Sequence, residues 1–107
     1  VTVYKTMRHE YAGFDMSGHA GYDDIGKDIV CAAVSVLVIN TLNSIERFTE
    51  DKTSCVSDEN SGTVEFRFKD HPSHDAALLL DSMILGLEDI EDSEEYESYI
   101  DIIFKEV

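Results

Sequence analysis

Basic residues are scarce in this 107-residue chain: eight Lys and Arg stand against 23 Asp and Glu, a formal net charge of −15. Phosphate backbones are held by clustered cations, so direct binding of nucleic acid is not expected, and a basic partner fits better. An acidic surface also serves solubility alone. There is no Trp and only one Pro, and six Gly with a hydrophobic fraction of 43% do not describe a disordered tract. The two cysteines, Cys31 and Cys55, are far apart and form no Cys-x-x-Cys pair, so neither a disulfide framework nor a zinc knuckle is expected. The opening VTVYKTMRHEY has no basic segment followed by an apolar stretch, and the run Ile29 to Ile39 is short for a bilayer. A cytoplasmic protein with reduced thiols and no membrane association is the resulting expectation.

What is present suffices for one domain over residues 1–107, with five Phe and five Tyr as core material. Val1 to Lys5 alternate at period two, and Phe14, Met16 and Gly18 resume the pattern after a turn-like Tyr11-Ala12-Gly13. Four of the six glycines, Gly13, Gly18, Gly21 and Gly26, crowd the segment that follows, which reads as an exposed loop. Next, Asp28 precedes a stretch whose Val34, Val38, Leu42, Ile45 and Phe48 keep helical spacing. Strands are expected at about 52–57 and 63–69, the second with Val64, Phe66 and Phe68 inward. A second helix begins near Ser73, with Ala76, Leu80, Met83, Ile84 and Leu87 on one stripe, and the segment Tyr96 to Phe104 alternates as a last strand. The order β-β-α-β-β-α-β packs most simply as an α/β fold of the α+β type: a two-layer sandwich of one mixed sheet with both helices on a single face.

The chemistry-bearing residues gather at the first helix. With Asp28 as its N-cap, Cys31 falls in the first turn, where unpaired N–H groups and the helix dipole favour a thiolate. His19, on the glycine-rich loop feeding that helix, is tethered closely enough to act as its base, and first-turn N–H groups could receive an oxyanion. Asp28 has two candidate roles, capping the helix or orienting His19. Ser35 lies one turn beyond Cys31, placed either to hydrogen-bond near the sulfur or merely to pack. Cysteine in an apolar helix is usually core, so these features by themselves make catalysis a candidate and no more.

The segment GHAGYDDIGKDIVCAAVS, Gly18 to Ser35, resembles the signature of the ribosomal-processing cysteine protease family, Prp. The match joins the Gly18-His19 pair, a glycine-bearing loop that includes Gly21, the Asp28-Ile29-Val30-Cys31 helix start and Ser35. The resemblance implies a homodimeric cysteine endopeptidase that needs no cofactor or metal. It would remove the N-terminal extension of large-subunit ribosomal protein twenty-seven, cleaving after an aromatic pair. By position, Cys31 corresponds to the nucleophile, His19 to the catalytic histidine, Asp28 to the associated acidic residue and Gly18 to the glycine beside the histidine. Two other readings compete with it: a non-catalytic acidic module that binds a basic ribosomal protein or assembly intermediate, and a redox-sensing thiol, which lacks an obvious resolving partner.

Other polar features have cheaper explanations. His71 and His74, flanking Pro72 and Ser73 with Asp70 and Asp75 alongside, suit a polar turn that opens a helix better than a zinc site. Cys55 fits a half-buried strand position. The acidic run from Glu88 to Glu95 reads as a solvated face, and Tyr96 and Tyr99 point to opposite faces of the last strand, making no stacking platform.

Overall fold

Strand β1 (Thr2–Lys5) pairs antiparallel with β2 (Tyr11–Met16), with Val3 opposite Phe14 and Tyr4 opposite Gly13. The computed structural model describes residues 1–17, 25–58, 62–96 and 100–107, the side chains of residues 25–28 excepted. The turn between the two strands is earlier than the sequence suggests. It is closed by Thr6 N–H donating to the Glu10 carbonyl (2.8 Å) and His9 N–H to the Thr6 carbonyl (2.9 Å), with His9 at φ 62°. Tyr11, Ala12 and Gly13 belong to the strand itself. Glycine is needed there for close approach: a Cβ on Gly13 would sit 2.1 Å from the carbonyl oxygen of Phe66.

Helix α1 (Ile25–Phe48) leads to the hairpin of β3 (Thr53–Asp58) and β4 (Thr63–Phe68), and helix α2 (His74–Glu91) leads to β5 (Ile103–Glu106), giving the expected order of elements. The sheet order is β3-β4-β2-β1-β5, antiparallel except for the parallel pair of β1 with β5. Each helix is thus a crossover: α1 carries the chain from β2 to the β3 edge, and α2 from β4 to the β5 edge.

Directly paired residues share a face of the sheet, and one row runs Cys55, Phe66, Phe14, Val3, Phe104 across all five strands. Its three central members are buried in one core with Val30, Val34, Val38 and Ile45 of α1 and the whole predicted stripe of α2, Ala76, Leu80, Met83, Ile84 and Leu87. The mixed sheet therefore carries both helices on one face. The helices touch each other where Gly86 meets Leu37: a Cβ there would come within 3.2 Å of the Leu37 methyl carbons. Phe14 and Phe66 pack with ring centroids 5.2 Å apart, and Phe66 meets Phe68 edge-on at 5.0 Å.

Several expectations are corrected. Helix α1 starts at Ile25, before Asp28. Phe48, expected on the buried stripe, is the last helical residue and 69% exposed, beyond what covers Ile45. Cys55 is exposed rather than half-buried, because β3 is an edge strand that α1 does not cover there. The final strand begins at Ile103, so Tyr96 sits in a turn after α2, and Tyr99 lies outside the described residues. The acidic run is helical as far as Glu91, whose Oε2 accepts the Ile102 N–H at 2.8 Å. The apolar run continues past Ile39 through Leu42, Ile45 and Phe48, so Ile29–Phe48 is long and apolar enough to span a bilayer by length and composition. In the fold its inner stripe covers the sheet.

Candidate active site

Cys31 is the seventh residue of α1 and half-buried. Val30 and Val34, buried on either side in the sequence, hold the helix on the sheet and rotate Cys31 to the flank of the packed stripe. Ser35, likewise half-buried, follows one turn later on the same flank. Connectivity sets which end of the sheet this is. Helix α1 starts after Met16, the last residue of β2, and Met16 pairs with Val64, which pairs with Ser57. The beginning of α1, with Cys31 on it, thus belongs to the end of the sheet where β2 finishes and the β3–β4 hairpin turns.

The helix start changes the electrostatic argument. In an α-helix only the first four N–H groups lack an intrahelical acceptor, so with Ile25 leading, the N–H of Cys31 falls inside the ladder. Neither a first-turn dipole effect on the sulfur nor oxyanion donation from its own turn is available. Asp28 is the fourth helical residue, so it does not cap the helix; its backbone lies one turn before Cys31. Gly18, His19 and Gly21 lie outside the described residues, as does the side chain of Asp28.

Away from this end, the described polar clusters have structural partners. His71 Nδ1 is 3.3 Å from Glu10 Oε1, and His74 Nδ1 is 3.3 Å from Asp75 Oδ1. Ser73 caps α2, its hydroxyl accepting the Ala76 N–H at 3.1 Å, as the sequence suggests. Among the described residues no group of three or more His, Cys, Asp or Glu is placed to hold a metal ion. Shallow clefts described beside His71, lined by Asp51, Lys52 and Ser73 on one side and by Thr6, Tyr11 and Pro72 on the other, do not include Cys31.

Sequence reasoning missed a polar assembly on the sheet face away from the helices. Arg67 Nη1 donates to Asp15 Oδ1 at 2.7 Å, Tyr4 donates its hydroxyl proton to Asp15 Oδ2 at 2.8 Å, and the guanidinium lies 4.5 Å from the Tyr4 ring centroid. The outward position of Arg67 in β4 was legible, but its partners are set by register. A second polar link, from the Tyr11 hydroxyl to Asp81, ties β2 to α2, and burial together with that acceptor pushes the Tyr11 phenol upward.

The family model for cysteine protease Prp matches residues 1–101. The ribosomal processing cysteine protease Prp of Staphylococcus aureus is 34% identical over 107 residues, covering 98% of this chain and 99% of that protein. The corresponding protein of Bacillus subtilis is 32% identical over 94 residues, 84% of each. Among solved structures, the Staphylococcus aureus protease with a covalently linked product peptide superimposes with a TM-score of 0.85 at 30% identity, covering 98% of this chain and 97% of that one. The same protease with a substrate peptide gives a TM-score of 0.89 at 28% identity over the same shares.

Proposed function

This chain belongs to the Prp family of cysteine proteases, and from that premise we propose that it removes an N-terminal extension from a large-subunit ribosomal protein, number twenty-seven, with Cys31 as nucleophile and His19 as base. The observation that carries the reading is the Gly18–Ser35 segment, which brings a Gly-His pair and a helix-borne cysteine together in a chain that matches the family over residues 1–101.

In this reading His19 takes the thiol proton as Sγ of Cys31 attacks the scissile carbonyl. The leaving amine collects that proton from His19, and an acyl-thioester remains on Cys31. Water, deprotonated by His19, then releases the new carboxylate. Chain length allows the pair to meet: His19 lies six steps along the chain before Ile25, a reach of up to about 20 Å, whereas Ile25 to Cys31 is only about 9 Å along the helix.

Asp28 no longer serves as a cap, and its backbone position one turn before Cys31 supports the remaining role of orienting His19. The turn that holds Cys31 has no spare N–H, so oxyanion donors come from another segment, and the backbone at Gly18 and Gly21 can approach a substrate without a Cβ in the way. Ser35, on the Cys31 flank, is placed toward the same substrate.

The charge of −15 favours a basic ribosomal protein as substrate by long-range attraction, in keeping with a single-domain cytoplasmic homodimer that works without cofactor, nucleic acid or membrane. The test is a peptide spanning the extension junction, incubated with the protein and with the Cys31→Ala and His19→Ala variants. Cleavage by the parent and loss in both variants is the expected result, with an acyl-enzyme mass detectable on Cys31. Undiminished cleavage by Cys31→Ala would overturn the mechanism.

A further inference from the structure

Strand β3 lies at one edge of the sheet, and among the described residues no strand pairs with its outer side. Which of its backbone groups face that side follows from register. The Lys69 N–H donates to the Lys52 carbonyl at 2.9 Å, and these two residues stand opposite each other, one step beyond the Thr53–Phe68 pair. Bonded and unbonded pairs alternate along an antiparallel ladder. Ser54 and Val56 therefore turn their N–H and C=O groups toward β4, and Thr53, Cys55 and Ser57 turn theirs outward. Edge strands are ordinarily blunted by Lys, Pro or a bulge, and Thr53–Asp58 has none of the three. The opposite edge, β5, is shorter and carries Lys105 and Glu106.

The unprotected edge is also the one beside Cys31. Leu37 marks the side of α1 that meets α2, through Gly86. Cys31 is about 120° round the helix from Leu37, with the buried Val34 between them. Cys31 thus stands on the flank turned away from α2, together with Ser35 and Leu42. Because α1 crosses to the β3 edge and α2 to the β5 edge, that flank overlooks β3. The levels agree as well, since Ser57 pairs with Val64 and Val64 with Met16, at the end of the sheet where α1 begins.

We propose that the outer edge of β3 is the docking strand for the substrate: an extended segment of the polypeptide adds to the sheet beside Thr53, Cys55 and Ser57 and is led past the sulfur of Cys31. This rests on the protease reading above and supplies the way the substrate is held. An extended chain is the occupant that fits, because the outward groups recur at every second residue, about 6.8 Å apart, and another strand offers partners at that spacing. An added strand lies about 4.8 Å outside β3, below the Cys31 flank rather than below the packed stripe of α1. Its side chains alternate. One set faces Cys31, Ser35 and Leu42, and the other projects beside Val56, 61% exposed on the far face of the sheet. Backbone bonds supply affinity whatever the sequence, and selectivity rests with the first set.

Hydrogen exchange followed by NMR on Cys31→Ala, with and without a peptide spanning the extension junction, tests this directly. In the free protein the amides of Thr53, Cys55 and Ser57 are expected to exchange fast, and those of Ser54 and Val56 slowly. Peptide at about ten times its Kd is expected to slow the first three about tenfold and to leave the other two unchanged. Protection of the three before peptide is added, or none when it is bound, would overturn the proposal. A second reading uses the parent protein and peptides N-methylated one residue at a time outside the scissile pair. KM is expected to rise about three- to tenfold at every second position and to stay within about twofold between them, with kcat unchanged. Equal effects at neighbouring positions would count against strand addition. Failure of the parent to cleave any of these peptides would remove the protease reading, while the exchange pattern on Cys31→Ala still decides where the peptide lies. A peptide that neither binds nor is cleaved removes both.

Discussion

Arg67 reaches Asp15 diagonally across the sheet: Gly13 is the residue directly opposite Arg67, and Asp15 faces Glu65. The side chain can lie this way because Gly13 leaves its own place empty, with Arg67 Cδ only 2.9 Å from where a Cβ would be. The guanidinium also donates to the carbonyls of Phe14 (3.2 Å) and Phe66 (2.8 Å), binding β2 to β4 through one side chain. Its partner Asp15 accepts from Tyr4 on β1 as well, so three strands are joined on the face that the helices leave uncovered.

Acid weakens this assembly in a calculable direction. The hydrogen bond from Arg67 holds the Asp15 carboxyl below its ordinary range, against opposing desolvation and with help from Tyr4. Such a group contributes stability that is fully present above the unfolded carboxylate pKa, about 3.9, and is lost as pH falls through the lower folded value. Both partners remain partly exposed, with side-chain exposures of 43% and 28%, so the pair contributes only about 0.2–1 kcal/mol. Melting temperatures of the parent and Asp15→Asn are expected to differ by a constant amount from pH 5 to 8, to the order of about 2–5 °C, and to converge below about pH 4. A gap that widens in acid would contradict the assignment.

Adding one methyl group to Gly13 should be far more damaging. A Cβ 2.1 Å from the Phe66 oxygen can be accommodated only by moving the β4 backbone. Gly13→Ala is expected to lower unfolding free energy by about 1–3 kcal/mol, the range for forced overpacking, as read from the urea midpoint at unchanged slope. Insensitivity of the midpoint would mean that β2 and β4 separate more easily than their register implies.

Ser73 joins two elements. Its hydroxyl caps α2 and its N–H donates to Asp51 Oδ2 at 2.7 Å, and although desolvation opposes it, the bonds from Ser73 hold the Asp51 carboxyl below its usual range. Ser73→Ala is expected to cost about 1 kcal/mol. The double variant Ser73→Ala with Asp51→Asn is expected to lose less than the two single losses summed, since adjacent members of one network do not act independently. Thermal denaturation of the four proteins measures this directly.

The two thiols should separate chemically. Although Cys55 is exposed, partial desolvation by its neighbours raises its thiol pKa, so its alkylation by iodoacetamide is expected to be slower at pH 7 and to accelerate above the ordinary thiol range, about 8.5. On the proposed pairing with His19, Cys31 is expected to react first at pH 7, and the junction peptide to protect it. Peptide mapping by mass spectrometry after timed quenching assigns the rates; equal labelling of both residues would argue against an activated Cys31.

Much of the fold is legible in residue spacing. The stripe from Ala76 to Leu87 is buried as its 3.6-residue period requires, and Val64 and Phe66 alternate inward with Glu65 outward, because a single hydrophobic face leaves each element one way to lie. Boundaries read less well where competing local signals meet. Asp28 looks like a cap, yet the helix begins at Ile25, since an acidic residue is equally acceptable within the first turn. Tyr11-Ala12-Gly13 looks like a turn, yet it is strand, since the glycine answers to the Phe66 carbonyl of β4, remote in the chain.

By itself the sequence determined the order of elements, most of the core and the motif from which Cys31 and His19 are proposed as nucleophile and base, because those depend on local period and on residue identity. Only the tertiary structure decided that Cys31 stands in the second turn rather than at the helix start, that Cys55 lies exposed on an edge strand, that Arg67 finds Asp15 and Tyr4, and that the outer face of α1 is left apolar. Each of these depends on which strand lies beside which and on how far a helix is covered, relations between segments that are remote in the chain and that no local pattern encodes.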